Sequence, residues 1–335
     1  FKQKTAYEIG VRLVGSEMCI RDSDRIGLTK KVKVAICGDA KLVAQQILAQ
    51  LSSKAGDTDR EKRKALIHQT KSAWLQMLSS LDHEEDDPGT VWNKEARERD
   101  KDRMSPRMAW RAIQAGLPED AIISSDIGNN CAIGNAYPTF EKGRKYLAPG
   151  LFGPCGYGFP AILGAKIGCP NTPVVGFAGD GAFGISMSEM SSINRKEWPG
   201  ITMVIFRNYQ WGAEKRNSIL WFDDNFVGTE LDPDLSFAKV AEGCGLKGVQ
   251  VKTQEELTKS LKESCKAQND GVTTFIEVIL NQELGEPFRR DAMKKPVKVA
   301  GINKDDMKTQ NSQSVSYTHL RAHETDSYLV CRLLL

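Results

Sequence analysis

Between residues 121 and 280 the sequence alternates short, almost continuously apolar runs with amphipathic stretches, and this alternation restricts the fold more than any other feature. The runs Ala121–Ser125, Val174–Ala178, Ile201–Phe206 and Thr274–Leu280 lack the every-other-residue polarity of a strand with one face in water, so they read as strands buried on both faces. Val249–Val251 reads as a shorter strand. Helical patterning falls between and beside these runs, at Met108–Ala115, Phe159–Ile167, Ile185–Lys196, Phe237–Glu242 and Gln254–Ala267. Strands alternating with helices predict an α/β fold, a doubly wound parallel sheet covered on both faces. Ligands in such sheets bind at the carboxyl ends of the strands. The loops of interest therefore follow Ser125, Ala178 and Phe206.

The rest of the chain is organised around that unit. Lys31–Ile36 reads as a strand, Cys37-Gly38-Asp39 as a turn and Ala40–Leu51 as an amphipathic helix. One βα unit cannot bury its own apolar face, so residues 24–56 read as the end of a Rossmann-like middle domain. Residues 57–104 read as a charged helical linker, with Trp74, Leu75 and Leu78 docking it on a neighbour. Lys94–Arg103 holds nine charged residues in ten, of mixed sign, which suits a solvated face better than a nucleic-acid arm. Residues 105–290 form the ligand-binding domain and 291–313 a tail or lid. Residues 1–23 and 314–335 resemble peptides translated from sequencing-adapter DNA and are set aside as non-native flanks.

Composition excludes several classes of function. Lys+Arg 46 against Asp+Glu 43 gives a net charge of +3 in 335 residues, so no global field draws the chain to nucleic acid or an anionic membrane. No apolar run reaches the roughly 20 residues that span a bilayer. The eight cysteines include no CxxC pair, and no secretory leader is evident, which fits reduced thiols in a cytoplasmic protein. From Glu84 to Gln313 there is no histidine, so neither a Ser/His/Asp or Cys/His triad nor an HExxH zinc site can be built there. Any chemistry in that segment needs a cofactor.

The loop Gly179-Asp180-Gly181-Ala182-Phe183-Gly184 follows one buried strand and leads into a helix. Its glycines allow close backbone approach, helix-start amides favour a phosphate group, and Asp180 offers a hard oxygen to a divalent cation. By itself this is also an ordinary strand-to-helix turn. The next strand is followed by Arg207-Asn208-Tyr209-Gln210-Trp211-Gly212, and one strand–helix–strand unit places Asn208 beside Asp180 at the same sheet edge. A diphosphate held by backbone amides and bridged to the chain through Mg²⁺ is the physical inference.

Together these segments resemble the thiamine-diphosphate-dependent enzymes of the acetohydroxyacid-synthase-like group. Ser125-Asp126-Ile127-Gly128-Asn129-Asn130 resembles their first cofactor loop, and Gly150–Ala161 the segment beneath the aminopyrimidine ring. The resemblance implies thiamine diphosphate and Mg²⁺ as cofactors. It implies that Ile127, Gly128, Asn129, Asn130, Gly179, Asp180, Gly181, Ala182, Trp211 and Gly212 line the cofactor. It further implies that the Gly153 carbonyl accepts from the 4′-amino group, that Cys155 props the bent cofactor, and that Asp180, Asn208 and the Gln210 carbonyl bind the metal. The group usually carries a larger apolar residue in place of Cys155, which leaves a smaller prop or a substrate contact there, and often Asn in place of Arg207.

Longer stretches, Ile122–Pro138, Lys145–Ala161, Phe206–Ser218, Leu220–Asp232 and Asn281–Val297, resemble one branch of the group. That branch implies acyltransferase chemistry in sulfonate metabolism, in which sulfoacetaldehyde and phosphate become acetyl phosphate and sulfite. Both substrates are small anions, which planar guanidinium groups suit. Arg216, Asn217 and Arg290 are the candidate substrate contacts, with a solvated surface pair the competing reading for Lys215 and Arg289. The group's activating glutamate lies on an earlier domain and reaches the cofactor across a subunit interface, so a homo-oligomer is implied and no catalytic residue is assignable here. An isolated fragment would then turn over nothing. The alternatives are an acetolactate-synthase-like enzyme acting on a 2-oxo acid, or a non-catalytic cofactor-binding or assembly module. A dinucleotide-binding reading of Gly156–Ala161, a GxGxxA pattern, fails because no apolar strand precedes it and Pro160 interrupts the expected helix start.

Overall fold

The computed structural model describes residues 36–51, 57–81, 98–140, 146–150, 152–221 and 227–282. Its contacts divide the chain after Leu78. The first unit contributes α1 (Ala40–Leu51) and most of α2 (Asp57–Leu81). Asp39 starts α1, its Oδ1 accepting the Leu42 amide at 3.1 Å. In α2, Trp74 and Leu75 are largely exposed and Leu78 is buried. All but Ile36 of the strand expected at Lys31–Ile36, and with it the Rossmann-like reading, lies outside the described residues.

In the second unit β1 (Ile122–Ser125), β2 (Tyr146–Leu147), β3 (Val174–Gly179), β4 (Thr202–Arg207), β5 (Lys247–Val251) and β6 (Thr274–Ile279) form one sheet. The order is β2-β1-β3-β4-β6-β5 and every pair is parallel. This is the doubly wound α/β sheet that the apolar runs predict. β1 lies between β2 and β3, so the chain passes from one side of β1 to the other, and a crevice opens at the carboxyl ends of β1 and β3. The register Ser125↔Phe177 and Gly179↔Phe206 brings Asp126, Asp180 and Asn208, each just past its strand, to that edge.

The helices are α3 (Pro106–Gly116), α4 (Asn129–Ile133), α5 (Gly158–Gly168), α6 (Asp180–Ser186), α7 (Met190–Ile193), α8 (Gly212–Trp221), α9 (Phe237–Gly243) and α10 (Gln254–Ala267). Alternation along the strands sorts their side chains to two faces. On one, Met203 and Phe275 meet Phe159, Phe183, Met190 and Phe237 from α5, α6, α7 and α9. On the other, Trp110 of α3 packs on Phe177 and Phe206, with ring centroids 4.8 and 5.3 Å away. α3 begins with Ser105 as cap and Pro106 in its first turn; α10 begins with a capping box of Thr253 and Glu256.

Three local expectations change. The helix expected over Ile185–Lys196 is α6, a 3₁₀ turn Met187–Glu189 and then α7, because the chain turns helical at Asp180 rather than after the glycine-rich segment. Pro160 does not interrupt α5: it is the third residue of the helix, within the first turn, where its missing N–H is not needed. Asp100, in a run expected to be solvated, is buried and paired with Arg99 and Arg103 at 2.8 Å, and Met104 bridges to Leu280 beside the sheet.

Candidate functional site

Past β1, Gly128 adopts φ 117°, open to glycine at little cost, and lets the chain start α4 with Asn129 and Asn130. Trp110 donates its indole N–H to the Asn130 carbonyl at 2.7 Å, pinning this short helix to the core. The Asp126 carboxylate is buried. It accepts the amides of Ile127 (2.8 Å), Gly156 (3.1 Å) and Gly158 (2.7 Å), tying the loop after β1 to the start of α5. Burial pushes its pKa up against the opposing pull of these amides.

Asp180 is the first residue of α6 and is almost wholly buried. Its Oδ1 accepts the Gly181 amide at 2.9 Å; its Oδ2 accepts the Tyr209 amide at 2.6 Å and Nη1 of Arg207 at 3.2 Å. Burial raises its pKa to about 6, with Arg207 opposing the rise. Arg207, the last residue of β4, is buried too. Its Nη2 donates to the carbonyls of Asp232 and Leu235, and its Nε lies 3.7 Å from Glu277 Oε1.

Tyr209 has φ 62°, a strained conformation for a non-glycine residue and one that accumulates at functional sites. Two guanidinium groups lie over its ring, Arg207 at 4.3 Å and Arg103 at 4.8 Å from the centroid. Beyond it, Gln210 bridges to Glu230. The bridge uses the Trp211 amide to Thr229 (2.7 Å) and the Leu231 amide to the Tyr209 carbonyl (2.9 Å), so the Gln210 carbonyl stays outside the ladder. Gln210 Nε2 donates to the Gln282 carbonyl at 3.1 Å. Lys215 is not a solvated surface cation: its ammonium reaches Glu230 and Gln282, and Gln282 in turn donates to Glu230 at 3.0 Å.

These segments enclose a cavity of about 390 Å³. Of the positions expected to meet a cofactor, Ile127, Gly128, Asn129 and Asn130 line it from the first loop and Cys155 from the second. Gly179, Asp180, Gly181 and Ala182 line it from the β3–α6 junction, and Asn208, Gln210, Trp211 and Gly212 from beyond β4. Gly153 is set back from this wall; its φ is 63° and a Cβ there would meet Ile127 at 3.3 Å. The backbone of Arg216 and Asn217 lies in α8, and their side chains, like all of Arg290, lie outside the described residues. Tyr146 and Glu214 also line the cavity and carried no signal in the sequence. Asp126 and Arg207 were visible only as a loop member and a departure from the group's pattern; their partners lie 32 and 27 positions away.

The residues fit a diphosphate and a hard cation. Asn129 Nδ2, Asn130 Oδ1, Asn208 Oδ1 and Gln210 Oε1 are buried without a hydrogen-bond partner, and all four residues line the cavity. Unsatisfied buried polar atoms cost about 1–3 kcal/mol each, so four around one cavity point to a polar ligand. No group of three or more His, Cys, Asp or Glu suited to a metal occurs among the described residues. One carboxylate with neutral oxygens is instead the donor set expected for Mg²⁺ completed by phosphate and water.

Comparison with known proteins agrees with this chemistry. Residues 126–278 match the family described as thiamine pyrophosphate enzyme, C-terminal TPP binding domain. A probable sulfoacetaldehyde acetyltransferase of Rhizobium meliloti is 75% identical over 289 residues, covering 86% of this chain and 49% of that protein. A sulfoacetaldehyde acetyltransferase of Roseovarius nubinhibens is 71% identical over 287 residues, covering 86% of this chain and 48% of that protein. The acetolactate synthase large subunit of Buchnera aphidicola is 26% identical over 260 residues, covering 77% of this chain and 42% of that protein. The chain spans about half the length of the curated relatives it matches. No helix among the described residues is long and apolar enough to cross a membrane. Residues 126–278 are thus similar to the C-terminal thiamine-pyrophosphate-binding domain of thiamine pyrophosphate enzymes, and the chain is similar over 86% of its length to sulfoacetaldehyde acetyltransferases.

Proposed function

We propose that this chain is the cofactor-binding part of a cytoplasmic enzyme converting sulfoacetaldehyde and phosphate to acetyl phosphate and sulfite. The observation that carries the substrate is 75% identity over 289 residues to a protein of that name. The reaction breaks the carbon–sulfur bond of the aldehyde, releases sulfite and joins the acetyl group to phosphate. Thiamine diphosphate, when bound, supplies a carbanion able to attack a carbonyl carbon. The chain's own residues bind and orient. Asp180, Asn208 and the Gln210 carbonyl hold Mg²⁺, while Asn129, Asn130 and the backbone at Gly179–Ala182 face the diphosphate. Gly153 and Cys155 serve the aminopyrimidine. Cys155 also borders the space open to substrate.

Residues 105–290 act as one cofactor domain, preceded by the end of a middle domain and a linker and followed by a tail or lid at 291–313. Arg216, Asn217 and Arg290 contact the sulfonate or phosphate, whose oxyanions suit planar guanidinium groups. The catalytic glutamate comes from another domain across a homo-oligomer interface. Two assays test the reading. Calorimetry on this chain should detect thiamine diphosphate binding that requires Mg²⁺. Full-length protein should form acetyl phosphate from sulfoacetaldehyde and phosphate; formation of acetolactate from pyruvate instead would favour the reading suggested by the 26% identical synthase. An unchanged phosphate KM in Arg216→Ala would remove that residue from the substrate set.

A further inference from the structure

We propose that Arg207 is a positioning residue that determines which oxygen of Asp180 is presented to the metal; this rests on reading the cavity as a magnesium and thiamine diphosphate site. The lone-pair count on Asp180 carries the inference. A carboxylate offers about four acceptor sites. Arg207 Nη1 and the Tyr209 amide occupy both on Oδ2, and the Gly181 amide occupies one on Oδ1. One lone pair, on Oδ1, remains on a residue that lines the cavity.

Arg207 can impose this because it is itself held at both Nη atoms. Nη2 is held by the Asp232 and Leu235 carbonyls, Nε lies 3.7 Å from Glu277 Oε1 in an ion pair without a hydrogen bond, and Cζ lies 4.3 Å from the Tyr209 ring centroid and 5.4 Å from that of Phe237. Glu277 is immobilised in turn by Ser236 Oγ at 2.6 Å, the Phe237 and Ala238 amides, and Gln250. The clamp therefore runs from β6 through β4 to the start of α6. In formal charge, two buried carboxylates face one guanidinium, and the deficit of positive charge is what a divalent ion would offset. A lysine would keep the charge but not the planar fork that spans Asp180, the two carbonyls and Glu277 together.

The test is calorimetric titration of thiamine diphosphate into the protein at a series of Mg²⁺ concentrations, for wild type and Arg207→Lys. Groups that orient metal ligands typically change affinity about 10–100-fold, so the Mg²⁺ concentration giving half-maximal cofactor binding should rise at least about 10-fold in the variant. The preference for Mg²⁺ over the larger Ca²⁺ should narrow as the carboxylate becomes free to rotate. Wild type lacking any metal-dependent binding would overturn the site reading and this role with it. Wild type that binds, with a variant that melts earlier but half-saturates at the same Mg²⁺ concentration, would leave the site intact and make Arg207 structural only. If Arg207→Lys does not fold, Glu277→Gln loosens the same guanidinium from its far side without touching Asp180. It should shift half-saturation in the same direction; no shift there overturns the proposal.

Discussion

The Asp126 carboxylate accepts the Gly158 amide at 2.7 Å across 32 positions of sequence, while its other oxygen accepts Ile127 and Gly156. One side chain thus sets the spacing between the β1 loop and the segment that starts α5. Asp126→Asn can satisfy only one end of this arrangement, because its NH₂ must face an amide donor. The loss should be about 1–3 kcal/mol of stability, the usual cost of leaving a buried donor unpaired. Thiamine diphosphate affinity should fall as well, since Ile127–Asn130 and Cys155 lose their common anchor. Thermal unfolding and calorimetric titration of the same variant measure the two effects separately.

Asp180 fixes the sign of a pH dependence. Burial raises its pKa from 3.8 to about 6, so the folded chain binds this proton more tightly than the unfolded one. Its contribution favours folding below the unfolded value and is lost as pH rises through the interval from 3.8 to about 6. Ligand-free protein should therefore lose stability over that interval, and Asp180→Asn should lose less. Asp126, shifted in the same direction by burial, keeps the variant's profile from becoming flat. Metal dependence runs the other way. A cation competes with the proton for the carboxylate, so Mg²⁺-dependent binding of thiamine diphosphate should strengthen with rising pH and level off above about pH 6. Denaturant titrations and calorimetry at matched pH values check both signs.

The central strands were legible because burial on both faces leaves a nearly unbroken apolar run: β1, β3, β4 and β6 each fall within one residue of the expected ends. β2 was not, since Tyr146-Leu147 is two residues long and its role is set by pairing with Ile123 and Ser124. That Asp180 and Asn208 reach the same sheet edge could be read from one strand–helix–strand spacing. The start of α6 at Asp180 could not, because Gly181 and Gly184 have low helix propensity and tertiary contacts decide the outcome. Arg207 shows the limit most clearly. Its partner Glu277 sits in the last strand with the apolar Ile276 and Val278 on either side, and nothing local marks the carboxylate that an arginine on β4 will meet.

Gly181 has no room for a side chain. A Cβ there would lie 2.8 Å from two atoms of the Trp211 indole, closer than real contacts allow. Gly181→Ala must move either Trp211, which lines the cavity, or the first turn of α6, which carries Asp180. Overpacking of this kind costs about 1–3 kcal/mol. The expected signature is a modest fall in melting temperature with a larger loss of cofactor binding. Trp211 fluorescence should change in the ligand-free variant. A variant with unaltered emission and affinity would mean that the indole yields without consequence for the site.

Gly134 supports the site from behind. Its Cβ would fall 2.2 Å from Cζ2 of Trp110, the residue whose indole N–H holds the Asn130 carbonyl at 2.7 Å. Trp110 is fully buried between α3 and the sheet, tilted against Phe177 and Phe206, so the ring has little space to retreat. Gly134→Ala should displace the indole, strain the packing by about 1–3 kcal/mol and lengthen or break the bond to Asn130. The loss should then pass to Asn129 and Asn130, whose buried amide groups face the cavity, although Gly134 touches no ligand. Trp110→Phe removes the same hydrogen bond without adding bulk and should reproduce the binding defect with less loss of stability. Equal thiamine diphosphate affinity in Trp110→Phe and wild type would show that α4 is placed without the indole bond.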